Sequence, residues 1–113
     1  VAQKIHAASD PHIPPDYINE RPRDLVDLVL LHSMIAETGK PSANELKAAI
    51  QDIFDARAAE ARATRRNPRL LPARIVAYPH WNGDYQKTAH EVGVDLPMNE
   101  AVLLINAWLE EIQ

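Results

Sequence analysis

Apolar residues along this chain recur mainly at helical spacing, and proline, glycine and capping residues interrupt them. Val1, Ile5 and Ala8 fall on one side of a short helix ending near Ser9. Asp10 to Asn19 holds Pro11, Pro14 and Pro15 and reads as a loop. A second helix is predicted from about Glu20 to Glu37, with Asn19 as its cap and Pro22 in its first turn. Leu25, Val26, Leu28, Val29, Leu30, Leu31, Met34 and Ile35 leave it almost no polar side, as in the central helix of a bundle. Gly39, before Lys40 and Pro41, is placed for a left-handed C-terminal turn.

The third helix opens with a capping box, Ser42-Ala43-Asn44-Glu45. It carries Leu46, Ile50, Ile53, Phe54 and Arg57 at helical spacing and is expected to stop near Asn67-Pro68. Pro68 to Pro79 contains three prolines and the run Ile75-Val76-Ala77-Tyr78, which reads as an extended connector without a strand partner. A fourth helix, about Asn82 to Val92, places Trp81, Tyr85, Ala89 and Val92 on one face. A fifth, about Glu100 to Ile112, carries Ala101, Leu104, Ile105, Trp108, Leu109 and Ile112, with Asn99 as cap and a Met98–Leu103 staple. These elements predict one all-α domain over residues 1–113, an irregular bundle of about five helices with a Pro-rich extended connector.

A chain of 113 residues is one domain's worth and buries roughly two-thirds of its unfolded surface. The absence of Cys excludes disulfides, thiol catalysis and thiolate metal sites. No apolar run reaches the ~20 residues needed to span a bilayer, and no segment resembles a signal peptide. A cytoplasmic location without a membrane partner is the expectation. The chain starts at Val1 inside a helix, so a piece of a longer protein is expected. The net charge of −4 is uneven: Arg57 to Arg74 holds six Arg and one acid, whereas Asp84 to Gln113 holds six acids and one Lys. The basic segment is compatible with an anionic partner although the whole chain is acidic.

Candidate chemistry concentrates around Arg21-Pro22-Arg23-Asp24-Leu25-Val26-Asp27-Leu28. Asp24 and Asp27 lie one helical turn apart and share a face at the start of an apolar helix. Asp27 sits between Val26 and Leu28, so it is expected to be buried and to meet a cation: Arg21, Arg23 or Lys4. The cluster is either a structural set of ion pairs or one wall of a site for an anionic substrate and a metal. Asp24 alone reads equally as a base or as a first-turn acid favoured by the helix dipole. Lys4 is a phosphate-binding cation on one reading and a solvated surface lysine on the other. Arg57, Arg62, Arg65, Arg66, Arg69 and Arg74 could track an RNA backbone, or simply cap a solvated helix end. Tyr78 and Trp81 are the nearby rings that could stack with bases, whereas Trp81, Tyr85 and Trp108 read as core anchors. The five His residues show no zinc-ligand spacing.

Val1-Ala2-Gln3-Lys4-Ile5-His6-Ala7 followed by Arg21-Pro22-Arg23-Asp24-Leu25-Val26-Asp27-Leu28 resembles the latter half of the AbiEii/AbiGii-type nucleotidyltransferase toxins. There a Glu-Lys-Leu-x-Ala segment precedes an Arg-x-Lys-Asp-x-x-Asp-Leu segment across a loop. Ala49 to Arg57, with Phe54, and Trp81 to Tyr85 are similar to later segments of the family. The resemblance implies nucleotide transfer from a nucleoside triphosphate to RNA, tRNA ends included, and service as a toxin beside an antitoxin in phage defence. It implies Lys4 against the triphosphate, Asp24 or Asp27 as base or charge partner, and Arg21 and Arg23 as basic residues of the same motif. Gln3 stands where the family usually has Glu. The family's Gly-Ser segment and metal-binding acids, in an N-terminal α/β half, lie ahead of the point where this chain begins. Mg²⁺ would therefore be held mainly by that half, and this piece is expected to be inactive alone. The expected partners are that half, RNA, a cognate antitoxin and a second copy of the fragment. The rival reading is a non-enzymatic helical module that binds protein or RNA through its basic segment.

Overall fold

The second helix, α2 (Pro22–Thr38), lies against three of the other helices. In the computed structural model α1 (Ala2–Ala8) and α2 are followed by α3 (Ala43–Ala63), a single 3-10 turn (Pro79–Trp81), α4 (Asn82–Val92) and α5 (Met98–Ile112). The structure describes residues 1–12, 14 and 18–113; Ile13, Pro15, Asp16 and Tyr17 of the expected loop lie outside the described residues. Helix α1 packs on α2 and α3, and α2 also meets α4 and α5. The result is an irregular five-helix bundle, flattened to 41 × 36 × 19 Å. Among the described residues there is no strand.

Local chemistry explains most of the boundaries. Pro22 occupies the first turn of α2, where a missing N–H costs nothing. At the other end Gly39 takes φ 68°, and its N–H bonds the carbonyl of Ile35 at 2.7 Å. Ser42 and Glu45 form the reciprocal capping box at the start of α3. Helix α3 ends at Ala63, earlier than the expected Asn67-Pro68. Arg65 adopts φ 58°, and the N–H groups of Arg65 and Arg66 close on the carbonyls of Arg62 and Ala61, a Schellman turn with arginine in the left-handed position.

Further expectations shift. Asn19 lies two residues ahead of the N-cap Arg21, and its Oδ1 accepts the Arg21 N–H from outside the helix. Helix α5 begins at Met98, after Pro97, so Asn99 is not its cap. Leu103 is 68% exposed and staples nothing, and Val92 is 48% exposed. Fully buried residues of α2 stop at Val29, and Met34 is 60% exposed. Seventeen residues make a helix of about 26 Å, longer than the seven-residue α1 can cover.

The extended connector satisfies its backbone without a second strand. Asn106 accepts the Ile75 N–H and donates to the Ile75 carbonyl, both at 2.8 Å. Gln113, the residue that caps the C-terminus of α5, does the same for Ala73 at 2.7 and 2.9 Å. Residues i and i+2 of an extended chain expose their backbone groups on one edge. Two side-chain amides seven residues apart on a helix match that repeat. Ile75 and Ala73 are thereby fixed with their side chains in the core.

Candidate functional site

The site begins where α1 crosses the start of α2. Ala2, Ile5 and Ala8 bury one face of α1, and Leu25, Val26 and Leu28 bury the matching face of α2. That seam leaves Lys4 beside the first two turns of α2. Its ammonium donates to Asp27 Oδ2 at 2.9 Å and to Asp24 Oδ1 at 3.4 Å. The two carboxylates, one turn apart on a helix, thus share a cation from a different helix. The hydrogen bond to Asp27 is the main influence that raises the Lys4 pKa above 10.5, against the opposing effect of burial. Lys4 is therefore an ammonium at any physiological pH.

Asp27 meets a cation, as its place in an apolar run requires, but it is not buried: its side chain is 43% exposed, against 16% for Asp24. Leu25, Val26, Leu28 and Val29 are buried around it, and Asp27 shares with Asp24 the face at the edge of that stripe. Arg21 and Arg23 take no part in these ion pairs and are exposed. Arg23 instead lines a crevice with Glu20, Asp84, Lys87, Thr88 and Glu91 between the start of α2 and α4. One ammonium between two carboxylates leaves the cluster at a net −1. Both carboxylates are already bonded to the Lys4 ammonium, whose positive charge opposes a second cation between them. Among the described residues no group of three or more His, Asp or Glu is placed to hold a metal. These residues by themselves do not fit the family's Mg²⁺.

A second cluster lies on another side of α1. Arg69 reaches back to the Asp10 carboxylate, to Ser9 Oγ at 3.4 Å and to the His6 carbonyl at 3.0 Å. Its Nη2 also lies within 2.8 Å of both His6 ring nitrogens, and the ring meets Phe54 edge-on at 4.8 Å. Arg69 is thus half-buried and engaged, whereas Arg62, Arg65 and Arg66 are exposed around the end of α3. The structure brings Lys4, Asp24 and Asp27 together; it keeps Arg21 and Arg23 apart from them, and separates Arg69 from the exposed arginines by its partners.

Burial first, and then the Arg69 charge, pushes the His6 pKa below 6.5. Such a group binds its proton more readily when unfolded, so its contribution to stability is complete above about pH 6.5 and falls on acidification. The urea midpoint should drop between pH 6.5 and 5, and drop less in His6→Phe. An unchanged pH dependence in that variant would remove His6 from the account.

Sequence reasoning missed Asn19 as an organising residue. Only 3% exposed, its Nδ2 donates to the carbonyls of Ala8 at 3.2 Å and Asp10 at 2.7 Å. Its own carbonyl accepts from Trp81 Nε1 at 2.8 Å and meets His80 Nε2 at 2.7 Å. It ties the end of α1, the start of α2 and the approach to α4. A lone Asn before Glu-Arg-Pro carries a capping signal but no sign of these distant partners.

The sequence profile of the family described as "Nucleotidyl transferase AbiEii toxin, Type IV TA system" matches residues 1–108. This span includes both segments that meet at Lys4, Asp24 and Asp27. The chain belongs to the AbiEii nucleotidyltransferase toxin family. No curated protein matches it. Membership links the chain to nucleotidyl transfer and to toxin–antitoxin systems at the level of the family. Among the described residues no helix is long and apolar enough to cross a membrane.

Proposed function

We propose that this chain forms one wall of the nucleoside triphosphate and RNA site of an AbiEii-type nucleotidyltransferase, as the helical C-terminal part of a cytoplasmic enzyme. The observation that carries the reading is the meeting of Lys4 with Asp24 and Asp27. The three residues come from the two segments that resemble the family's motifs, and they converge from different helices. Lys4 supplies a mobile point charge to the triphosphate on its long stem. When the ammonium leaves for phosphate, a carboxylate is freed to accept the proton of the attacking RNA hydroxyl. Asp24, the less exposed of the two, is the better placed base, and Asp27 holds the lysine until substrate arrives.

The acids that hold Mg²⁺ belong, on this reading, to an N-terminal α/β half. Arg62, Arg65 and Arg66 receive the RNA, tRNA included, through its phosphates, with Arg69 bracing the segment from behind. Arg21 and Arg23 lie at the rim. The exposed apolar residues Met34 and Leu103 supply contact surface for the other half, for a cognate antitoxin or for a second copy of this chain.

Asp24→Asn and Asp27→Asn, made in the intact enzyme and assayed by labelled-nucleotide transfer to RNA, test the assignment. Asp24→Asn should cost about a hundredfold, the scale of a lost base. Asp27→Asn should cost about tenfold, because its charge is screened by solvent. Near-normal transfer by both variants would exclude the site.

A further inference from the structure

A group of aromatic rings away from Lys4 has no role in the transfer chemistry. His12 and His80 stack, with ring centroids 4.2 Å apart and 27° between planes. Tyr78 flanks both, at 5.2 Å from His12 and 5.8 Å from His80. The rings are held from below by Asn19. Its N–H donates to His12 Nδ1 at 3.1 Å, and its carbonyl faces His80 Nε2 at 2.7 Å. A carbonyl only accepts, so His80 Nε2 carries the hydrogen and Nδ1 of the neutral ring is left as an acceptor. His80 is exposed, whereas Trp81 beside it is buried and shares the same Asn19 carbonyl. The stack is thus fixed at its base and accessible at His80.

The cluster adjoins the basic segment. The Tyr78 hydroxyl donates to the Asp10 carbonyl at 3.4 Å, and the Asp10 carboxylate is bonded to Arg69. Arg69 is three residues from Arg66, so their Cα atoms are at most about 11 Å apart. Asp10 and Arg69 neutralise each other beside the rings. The face of an aromatic ring suits a base rather than a phosphate.

We propose that the His12–His80 stack is a platform for an unpaired base of single-stranded RNA whose phosphates run over Arg62, Arg65 and Arg66. The inference rests on the RNA reading above and adds to it the chemistry of the ligand. His80 Nδ1 accepts from an exocyclic amino group, which adenine and cytosine present and uracil lacks.

The test is fluorescence anisotropy of the chain with two labelled octanucleotides of equal charge, oligoadenylate and an abasic oligomer, at several salt concentrations. Oligoadenylate should bind about tenfold more tightly, within the range of one stacked base. His80→Ala should remove that difference and leave the salt dependence intact. Its fold should survive, because Trp81 still bonds the Asn19 carbonyl; circular dichroism checks this. His80→Phe, which keeps a ring, should retain most of the difference. Arg65→Ala with Arg66→Ala should weaken both oligomers, flatten the salt dependence and preserve their ratio. Equal binding of the two oligomers, or a difference that survives His80→Ala, would overturn the platform and leave the RNA reading standing. Binding of neither oligomer would overturn both.

Discussion

Lys4→Ala should lower nucleotide transfer by the intact enzyme about a hundredfold while leaving the helices folded. Losing one fixed cation that meets charge developing on a transferring phosphoryl group costs on the order of 3 kcal/mol of barrier. The folding cost is much smaller. The Lys4 side chain is 39% exposed, and ion pairs of that exposure contribute about 0–1 kcal/mol. Helix α1 is held to α2 by Ile5 and Ala8, which the substitution leaves alone. Lys4→Ala also leaves Asp24 and Asp27 facing each other without a cation, which raises the cost of bringing a triphosphate near. Transfer of labelled nucleotide to RNA, with circular dichroism as a check on folding, measures the effect. On the proposed reading the 113-residue chain by itself should transfer no nucleotide, and the same assay run on it tests that. Near-normal transfer by the variant would reduce the cluster to an ordinary surface ion pair.

What was legible in the sequence is what local chemistry decides. Gly39, Pro22 and the Ser42–Glu45 box mark helix ends that depend on their own neighbours, and each holds. The bounds of α4 and the burial of Trp81, Tyr85 and Trp108 follow from periodicity alone. That Asp27 meets a cation was legible; that the cation is Lys4 and not Arg21 or Arg23 was not, because the choice depends on how α1 crosses α2. Nor was the depth of Asp27. Val26 and Leu28 on either side of it are buried, but each residue of a helix is turned about 100° from the last, and Asp27 faces the open edge of the seam. The early stop of α3 escaped for another reason: Arg65 takes a left-handed conformation that glycine normally marks. The connector's pairing with Asn106 and Gln113 spans 31 and 40 residues of sequence, and no local signal reports it.

The largest loss of stability is expected at Asn19, whose role also depends mainly on partners distant in sequence. Asn19→Ala would leave the carbonyls of Ala8 and Asp10 and the N–H of Arg21 without their bonds. A buried polar group left unpaired costs about 1–3 kcal/mol, so a total of roughly 3–5 kcal/mol is expected. That is a large part of the ~5–15 kcal/mol that keeps a domain folded. At about 4–8 °C per kcal/mol, Tm should fall by roughly 12–40 °C. Asn19→Asp separates polarity from volume. It keeps an acceptor for Arg21 but places carboxylate oxygen against two carbonyls where Nδ2 donated. The folded state then favours the protonated acid, so its carboxyl pKa is raised. Relative to the unmodified chain, stability of this variant should be greatest in acid and fall as pH rises past the ordinary aspartate value of about 3.9. Urea unfolding followed by Trp fluorescence measures both. A loss under 1 kcal/mol in Asn19→Ala would mean that the loop reorganises without it. In that event α1 is set against α2 by its apolar face alone, and the placing of Lys4 beside Asp24 does not depend on Asn19.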